Sequence, residues 1–325
     1  MGFPSVRMRR LRGSSSVRRM VGTTSVSPDD LVMPLFVTSE RDAETPMEQI
    51  PGAKLLSGAP LAGEARRLAS LGIPAVLLFG MPLAEAKDSS GSAAFDDDGP
   101  AQKAVRTIKD AAPDMLVITD LCLCEFTDHG HCGLLKSGKI DNDLTLDCIQ
   151  LAALSQARAG ADIVAPSGMM DGSVAAIRRA LDSNGFQDTL VMPYSAKFAS
   201  GFYGPFKAAT DSSPGESLHS THQLDTGSFR QAMKEIELDI EEGADVVIVK
   251  PALPSLDIIH AARREFAVPI AAYQVSGFYH MICRRYEGDQ LHRLMMEILT
   301  CIKRAGADII ITYHAGEAAK GTIRR

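Results

Sequence analysis

The fifteen residues from Thr119 to Gly133 read TDLCLCEFTDHGHCG and hold three of the chain's six cysteines, with two histidines and two aspartates. On an extended strand Cys122 and Cys124, two residues apart, face the same way, and Cys132 can fold back over them from the following loop. Three thiolates select a soft or borderline ion, zinc above all, and leave a fourth position for water or substrate. A closed structural site would need His129 or His131 as well, and three buried thiols without metal are the plain alternative. Cys148, Cys283 and Cys301 lie in helical stretches without ligand spacing and read as ordinary thiols.

The second reactive feature is a pair of lysines. Lys250 sits inside the apolar run VVIVKPALP, where an ammonium is costly to bury, and Lys197 occupies the matching place in YSAKFASGFYGPF. Lysines at exposed strand ends would snorkel to water. Placed in one pocket, two ammonium groups depress each other's pKa, as does burial, and the neutral amine is the form that attacks a ketone to make an imine.

Positioning such groups requires a frame. Short apolar, β-branched runs at 31–37, 75–80, 115–123, 162–167, 189–196, 245–251, 270–277 and 308–313 read as strands, nearly continuous in apolar residues, as for parallel strands covered on both faces. Helical periodicity fits about 61–71, 100–111, 142–159, 172–184, 227–242, 256–266 and 289–305. ARAGADIVAPS, IEEGADVVIVKP and KRAGADIIITY form a weak repeat, each ending a helix at Gly and starting a strand after Ala-Asp. Repeated βα units predict an α/β fold of the (β/α)8 TIM-barrel type, with residues 1–30 an N-terminal arm and 31–325 the catalytic domain. A doubly wound sheet lacks its fingerprint, since no GxGxxG follows a strand. In a barrel the site lies at the C-terminal strand ends, where Asp120, Cys122, Cys124, Ser167, Ser195, Lys197, Lys250, Ser276 and Tyr313 all fall.

Composition narrows the class. A net charge of -6 argues against a general nucleic-acid binder, and no apolar run approaches the roughly 20 residues of a membrane helix. Six arginines and no acid lie between Arg7 and Arg19, which reads as an arm packed on a partner subunit, with a targeting segment as the alternative. A soluble, cytoplasmic protein with free or metal-bound thiols is expected.

Together, ITDLCLCEFTDHGHCGLL, DIVAPSGMMDGSVAAIR, MPYSAKFASGFYGPF, EEGADVVIVKPALPSLDII, AAYQVSGFY and RAGADIIITY resemble porphobilinogen synthase, also called 5-aminolevulinate dehydratase, in its zinc-dependent form. The resemblance runs from RMRRLR to the final strand. It implies condensation of two 5-aminolevulinate molecules to porphobilinogen on a barrel with two imine-forming lysines, in a homo-oligomer, commonly an octamer, whose arms wrap neighbouring subunits. Lys250 would be the imine lysine of the first-bound substrate, with Ser276 and Tyr313 holding its carboxylate; Lys197 would serve the second, with Asp120 and Ser167 near its amine and zinc on Cys122, Cys124 and Cys132. Tyr194, Phe206, Lys207, His219, Gln223 and Tyr273 would complete the substrate-binding set. Whether an allosteric magnesium ion is bound is left open.

The chain departs from the family pattern at four places. Gly168 stands for an aspartate, Phe278 for a glutamate, and Lys207 and His219 for the two arginines that clamp the second carboxylate. Arg binds a carboxylate bidentately, whereas Lys offers a point charge and His is mostly neutral at pH 7. The first site thus reads as intact and the second as retuned. A working enzyme of this type is the leading expectation; the alternatives are a diverged paralogue that condenses 5-aminolevulinate or another amino ketone with a different partner, and a zinc-binding paralogue without turnover.

Overall fold

A computed structural model describes residues 2–210 and 221–323. Eight parallel strands form its centre: β1 (Leu31–Thr38), β2 (Ala75–Met81), β3 (Leu116–Leu121), β4 (Ile163–Pro166), β5 in two pieces (Leu190–Val191 and Ala196–Lys197), β6 (Val247–Lys250), β7 (Ile270–Gln274) and β8 (Ile309–Thr312). Hydrogen bonding runs from the second piece of β5 through β6, β7, β8, β1, β2, β3 and β4 to the first piece of β5. The two ends of the sheet are therefore one chain segment. Across the break, Met192 N–H and Tyr194 N–H donate to Val164 O and Pro166 O of β4 and its end, while Pro193 O accepts from Ile248 N–H of β6. The sheet closes on itself as a (β/α)8 barrel.

A helix follows each strand, at Gly58–Ser70, Pro100–Ala111, Asn142–Ala159, Ser173–Ser183, Phe229–Glu241, Leu256–Glu265, Gly288–Ala305 and Ala315–Ile323. The last of these completes the set; periodicity alone predicts only seven. Alternation along the strands sorts the apolar residues into two cores. Phe36, Leu77, Phe79, Ile118, Ala165, Met192, Tyr194, Ile248, Tyr273 and Ile311 fill the barrel, while Leu35, Val37, Leu78, Val117, Val164, Val191 and Val249 meet the helices.

The Gly-Ala-Asp repeat has a physical cause. Gly160, Gly243 and Gly306 all hold positive φ, 101°, 105° and 132°, and turn the chain out of a helix. The Asp carboxylates then accept from the backbone at the start of the preceding strand: Asp162 from Val117 N–H at 2.7 Å, Asp245 from Val191 N–H at 2.8 Å, and Asp308 from Ile270 N–H at 2.9 Å. Each such bond satisfies a donor at the bottom of the barrel that the ladder leaves over.

The seventh strand is shorter than the apolar run predicts. It stops at Gln274, and Ser276 opens an added helix, Ser276–Arg285. Gly277 packs so closely on the turn Gly201–Tyr203 that a Cβ there would collide with Phe202 O. A second added helix, Gly204–Thr210, follows β5. In the arm, Met8–Arg12 and the helix Ser15–Val21, capped by Ser14, bury no residue. No helix among the described residues is long and apolar enough to cross a membrane.

Candidate active site

Lys250 ends β6 inside the barrel and is only 6% exposed. Its Nζ lies 4.5 Å from the ring centroid of Tyr273, 4.9 Å from Tyr203, 5.2 Å from Tyr194 and 5.3 Å from Phe206. These faces stabilise a cation but offer it little hydration. Burial, with the charge of Lys197 second, pushes the Lys250 pKa from 10.5 down to about 7.

Lys197 is the direct cross-strand partner of Lys250. Strict alternation from the inward residues Met192 and Tyr194 would turn Ala196 inward and Lys197 out. The break in β5 shifts the phase by one residue: Ala196 joins the outer core and Lys197 is buried, its Nζ donating to Ser167 O at 2.5 Å. Ser195, next to inward Tyr194, faces the outer layer, toward Asp239 on the helix Phe229–Glu241, so this strand-end hydroxyl is not part of the site. The expectation that both lysines are depressed also needs correction. Burial lowers Lys197, but the charges of Cys132, Cys122 and Asp120 outweigh it and hold its pKa above the ordinary value.

Asp120 is buried beside this pair. Its Oδ2 accepts from Ser167 Oγ at 3.1 Å. Burial, then the charge of Cys122, raises its pKa to about 7 against the pull of the lysines. Asp120 Oδ1 and the hydroxyls of Tyr194 and Ser276 are buried without a hydrogen-bond partner among the described residues. Polar atoms so placed are costly unless a bound molecule meets them.

The three cysteines do come together, though not through a strand. β3 ends at Leu121; Cys122 follows it directly, and Cys124 lies on a turn closed by the N–H groups of Phe126 and Thr127 donating to Leu123 O. The Sγ atoms of Cys122 and Cys124 are 3.2 Å apart, and all three sulfurs lie within 4.8 Å of one another. Thiolates on a tetrahedral zinc stand about 3.8 Å apart, so the donor set fits that ion with small adjustment. Hydrogen bonds from Cys122 and Cys124 hold the Cys132 thiol well below its usual pKa. Glu125 accepts from Cys124 Sγ at 3.0 Å, and burial raises its carboxyl to about 8.

Ser276 opens its helix beside the barrel mouth, and Tyr313, just past β8, meets Tyr273 with hydroxyls 3.2 Å apart. Phe206 packs edge-on against Phe79 at 4.9 Å, and Lys207 follows it, half-buried. Gln223 is buried next to Leu224, whose N–H donates to Lys197 O. His219 lies outside the described residues. His222 is a site residue that the motifs do not single out: burial, then the charge of Lys197, depresses it to about 4, and Lys207 adds to the effect. Tyr203, whose hydroxyl donates to Lys250 O at 3.3 Å, is another, although it lies in the same motif as Lys197.

Two of the departures can be read in the packing. A Cβ on Gly168 would meet nothing nearer than Cys132 O at 3.6 Å, so space does not enforce glycine there. Phe278 stacks on Phe202 with centroids 4.1 Å apart and planes at 24°, tying the segment that carries Tyr203 and Phe206 to the helix of Ser276. Removing this half-buried ring in Phe278→Ala is expected to cost roughly 1–2 kcal/mol of stability, read as a lower urea midpoint at unchanged slope, while Phe278→Tyr keeps the stack and the midpoint. An unchanged midpoint in the alanine variant would show the stack to be incidental.

Comparison with known proteins is consistent across sequence and structure. The model of the delta-aminolevulinic acid dehydratase family matches residues 5–321. The delta-aminolevulinic acid dehydratase of Methanothermus sociabilis is 49% identical over 318 residues, covering 98% of each chain, and that of Bacillus subtilis (strain 168) is 46% identical over 97% of each. A crystal structure of delta-aminolevulinic acid dehydratase (porphobilinogen synthase) from Toxoplasma gondii ME49, in complex with the reaction product porphobilinogen, superimposes with a TM-score of 0.95 at 40% identity, over 98% of this chain and 92% of that one.

Proposed function

Since the chain belongs to the delta-aminolevulinic acid dehydratase family, we propose that it condenses two molecules of 5-aminolevulinate to porphobilinogen with loss of two waters, as a lyase with lysine imines and zinc. The observation that carries the reading is the pair of buried lysines on adjacent strands, one depressed to about 7, beside a three-thiol cluster.

Neutral Lys250 Nζ attacks the ketone of the first substrate, loss of water leaves an imine, and on taking up a proton that imine becomes a cation that the faces of Tyr203, Tyr273, Tyr194 and Phe206 stabilise. The Ser276 hydroxyl and Tyr313 orient that substrate's carboxylate without adding charge. Lys197 takes the second ketone. Asp120 and Ser167 receive and hold its amine, and Lys207, His219, Gln223 and the Tyr194 hydroxyl complete that side. A carboxyl with a pKa near 7 is matched to moving protons at neutral pH, a role that suits Asp120 during loss of water. Zinc on Cys122, Cys124 and Cys132 would supply a Lewis acid at the second substrate. Neutralised thiolates would also cease to hold a proton on Lys197. The arm, with Phe3, Val6, Met8, Leu11, Met20 and Val21 exposed among its arginines, fits packing on another copy in a homo-oligomer such as an octamer, within the cytoplasm.

The pH dependence of the first imine tests this reading. At pH 7 about half of Lys250 is neutral, against roughly 0.03% for an ordinary lysine. Raising pH strips the ammonium proton, so the initial rate of borohydride-trapped adduct on Lys250 should rise about tenfold per unit below pH 7 and level off above about 8. A midpoint near 10.5, or an adduct mapped elsewhere by mass spectrometry, would contradict it.

A further inference from the structure

The segment Lys87–Ser92, after β2, takes no part in the chemistry proposed above, yet it is bonded to the loop that carries the cysteines. Asp88 organises it. Asp88 Oδ1 accepts from Ser90 N–H and Ser90 Oγ, both at 2.8 Å, and from Ser92 N–H at 3.1 Å, while Ser92 Oγ donates to Oδ2. One carboxylate thus closes a four-donor turn, with Gly91 at φ 64° completing the reversal.

The outer edge of that turn meets the residues between Cys124 and Cys132. Asp88 N–H donates to Phe126 O at 3.4 Å and Asp88 O accepts from Asp128 N–H at 3.0 Å, a parallel bridge centred on Thr127. Ser89 O lies 3.3 Å from His129 Nε2. A Cβ on Gly91 would stand 3.3 Å from Thr127 Cγ2 and 3.5 Å from Leu123 Cδ2 and Phe126 Cβ, so the two segments are packed without slack. Thr127 Oγ1 in turn donates to His131 O at 3.1 Å, fixing the peptide group that leads into Cys132. The Asp88 carboxylate thus shapes the turn, the turn's backbone holds the loop at Phe126 and Asp128, and Thr127 carries the link to the peptide before the third cysteine, which is separated in sequence from the other two and depends on its loop for its place.

We propose that Asp88 is a positioning residue for the metal site, holding the Phe126–Cys132 loop so that Cys132 stands opposite Cys122 and Cys124. The inference rests on the reading of these cysteines as the metal ligands. Partners bonded directly to a ligand typically govern metal affinity by 10- to 100-fold without touching the ion, and Asp88 acts one step further out, through the loop that carries the ligand. No part of the Asp88 turn bonds to Lys250, so the first imine should not depend on it.

Zinc affinity of the full chain is measured by competition with a chromophoric chelator, and cobalt is loaded in parallel to read its thiolate absorption. Asp88→Ala should weaken zinc roughly 10- to 100-fold and alter the cobalt spectrum, with borohydride trapping of 5-aminolevulinate on Lys250 unchanged. Asp88→Asn, which keeps an acceptor for the serine donors, should recover most of the affinity. Should Asp88→Ala fail to fold, as read by circular dichroism, Ser92→Ala carries the test, with an expected loss of roughly 3- to 10-fold because one of the four donors is removed. Natural affinity and spectrum in a folded Asp88→Ala or Ser92→Ala variant would overturn the assignment. A natural protein that binds no zinc would instead overturn the metal reading, and this role with it.

Discussion

Lys250→Ala should abolish porphobilinogen formation, by roughly 10⁴-fold or more, with the barrel intact. A covalent nucleophile removed from a site that acts as a unit takes nearly the whole rate enhancement with it. Folding should survive because the side chain is a burden to the core: its ammonium is buried among four rings and depressed to about 7, so an uncharged replacement removes a desolvation cost. Lys197→Ala should lower turnover by a comparable factor but still allow 5-aminolevulinate to be trapped on Lys250. The two variants together separate the order of the sites. Trapping at full yield in Lys250→Ala, with loss in Lys197→Ala, would reverse the assignment.

Metal removal should have the second-largest effect. Zinc is expected near one ion per subunit, and its removal by chelation should cost roughly 10³-fold or more in turnover, as for loss of several kcal/mol of charge stabilisation. Circular dichroism should change little, because Cys122, Cys124 and Cys132 sit on a loop beyond β3 and the ladder of the barrel does not pass through them. Activity should return with zinc and fail to return with magnesium, since three thiolates suit the softer ion. Unfolding on chelation would make the ion structural; full zinc occupancy in a triple Cys→Ala variant would place it elsewhere.

Both reactive features are legible in the sequence itself. Lys250 stands out because an ammonium in VVIVKP has few reasons to exist, and the cysteine cluster because its spacing is short. The Gly-Ala-Asp repeat marks three strand starts, while its cause, a carboxylate bonded to the neighbouring strand, shows only with that neighbour in place. What stays hidden depends on local irregularity. Lys197 points inward because β5 slips by one residue after Ser195, which no alternation rule foresees, so Ser195 and Lys197, two residues apart, face opposite layers. Cys122 and Cys124 converge beyond the end of β3, where their spacing suggests an extended strand. The raised pKa of Lys197 comes from thiolates contributed by a distant strand end, so the two lysines, alike in sequence, differ in charge. Asp88 does not stand out although DSSGS is the pattern of an Asx turn, because nothing in the sequence says which loop that turn will meet. The retuned clamp is the part least open to reading: Lys207 is half-buried near the site and His219 lies outside the described residues.

The central claim is that this site joins two molecules of 5-aminolevulinate, and the direct measurement is product formation by the purified, zinc-loaded protein at neutral pH. The account predicts porphobilinogen as the product, with two molecules of 5-aminolevulinate consumed for each one formed. A protein that binds zinc on its three cysteines and forms the Lys250 adduct, yet releases no porphobilinogen, would contradict it.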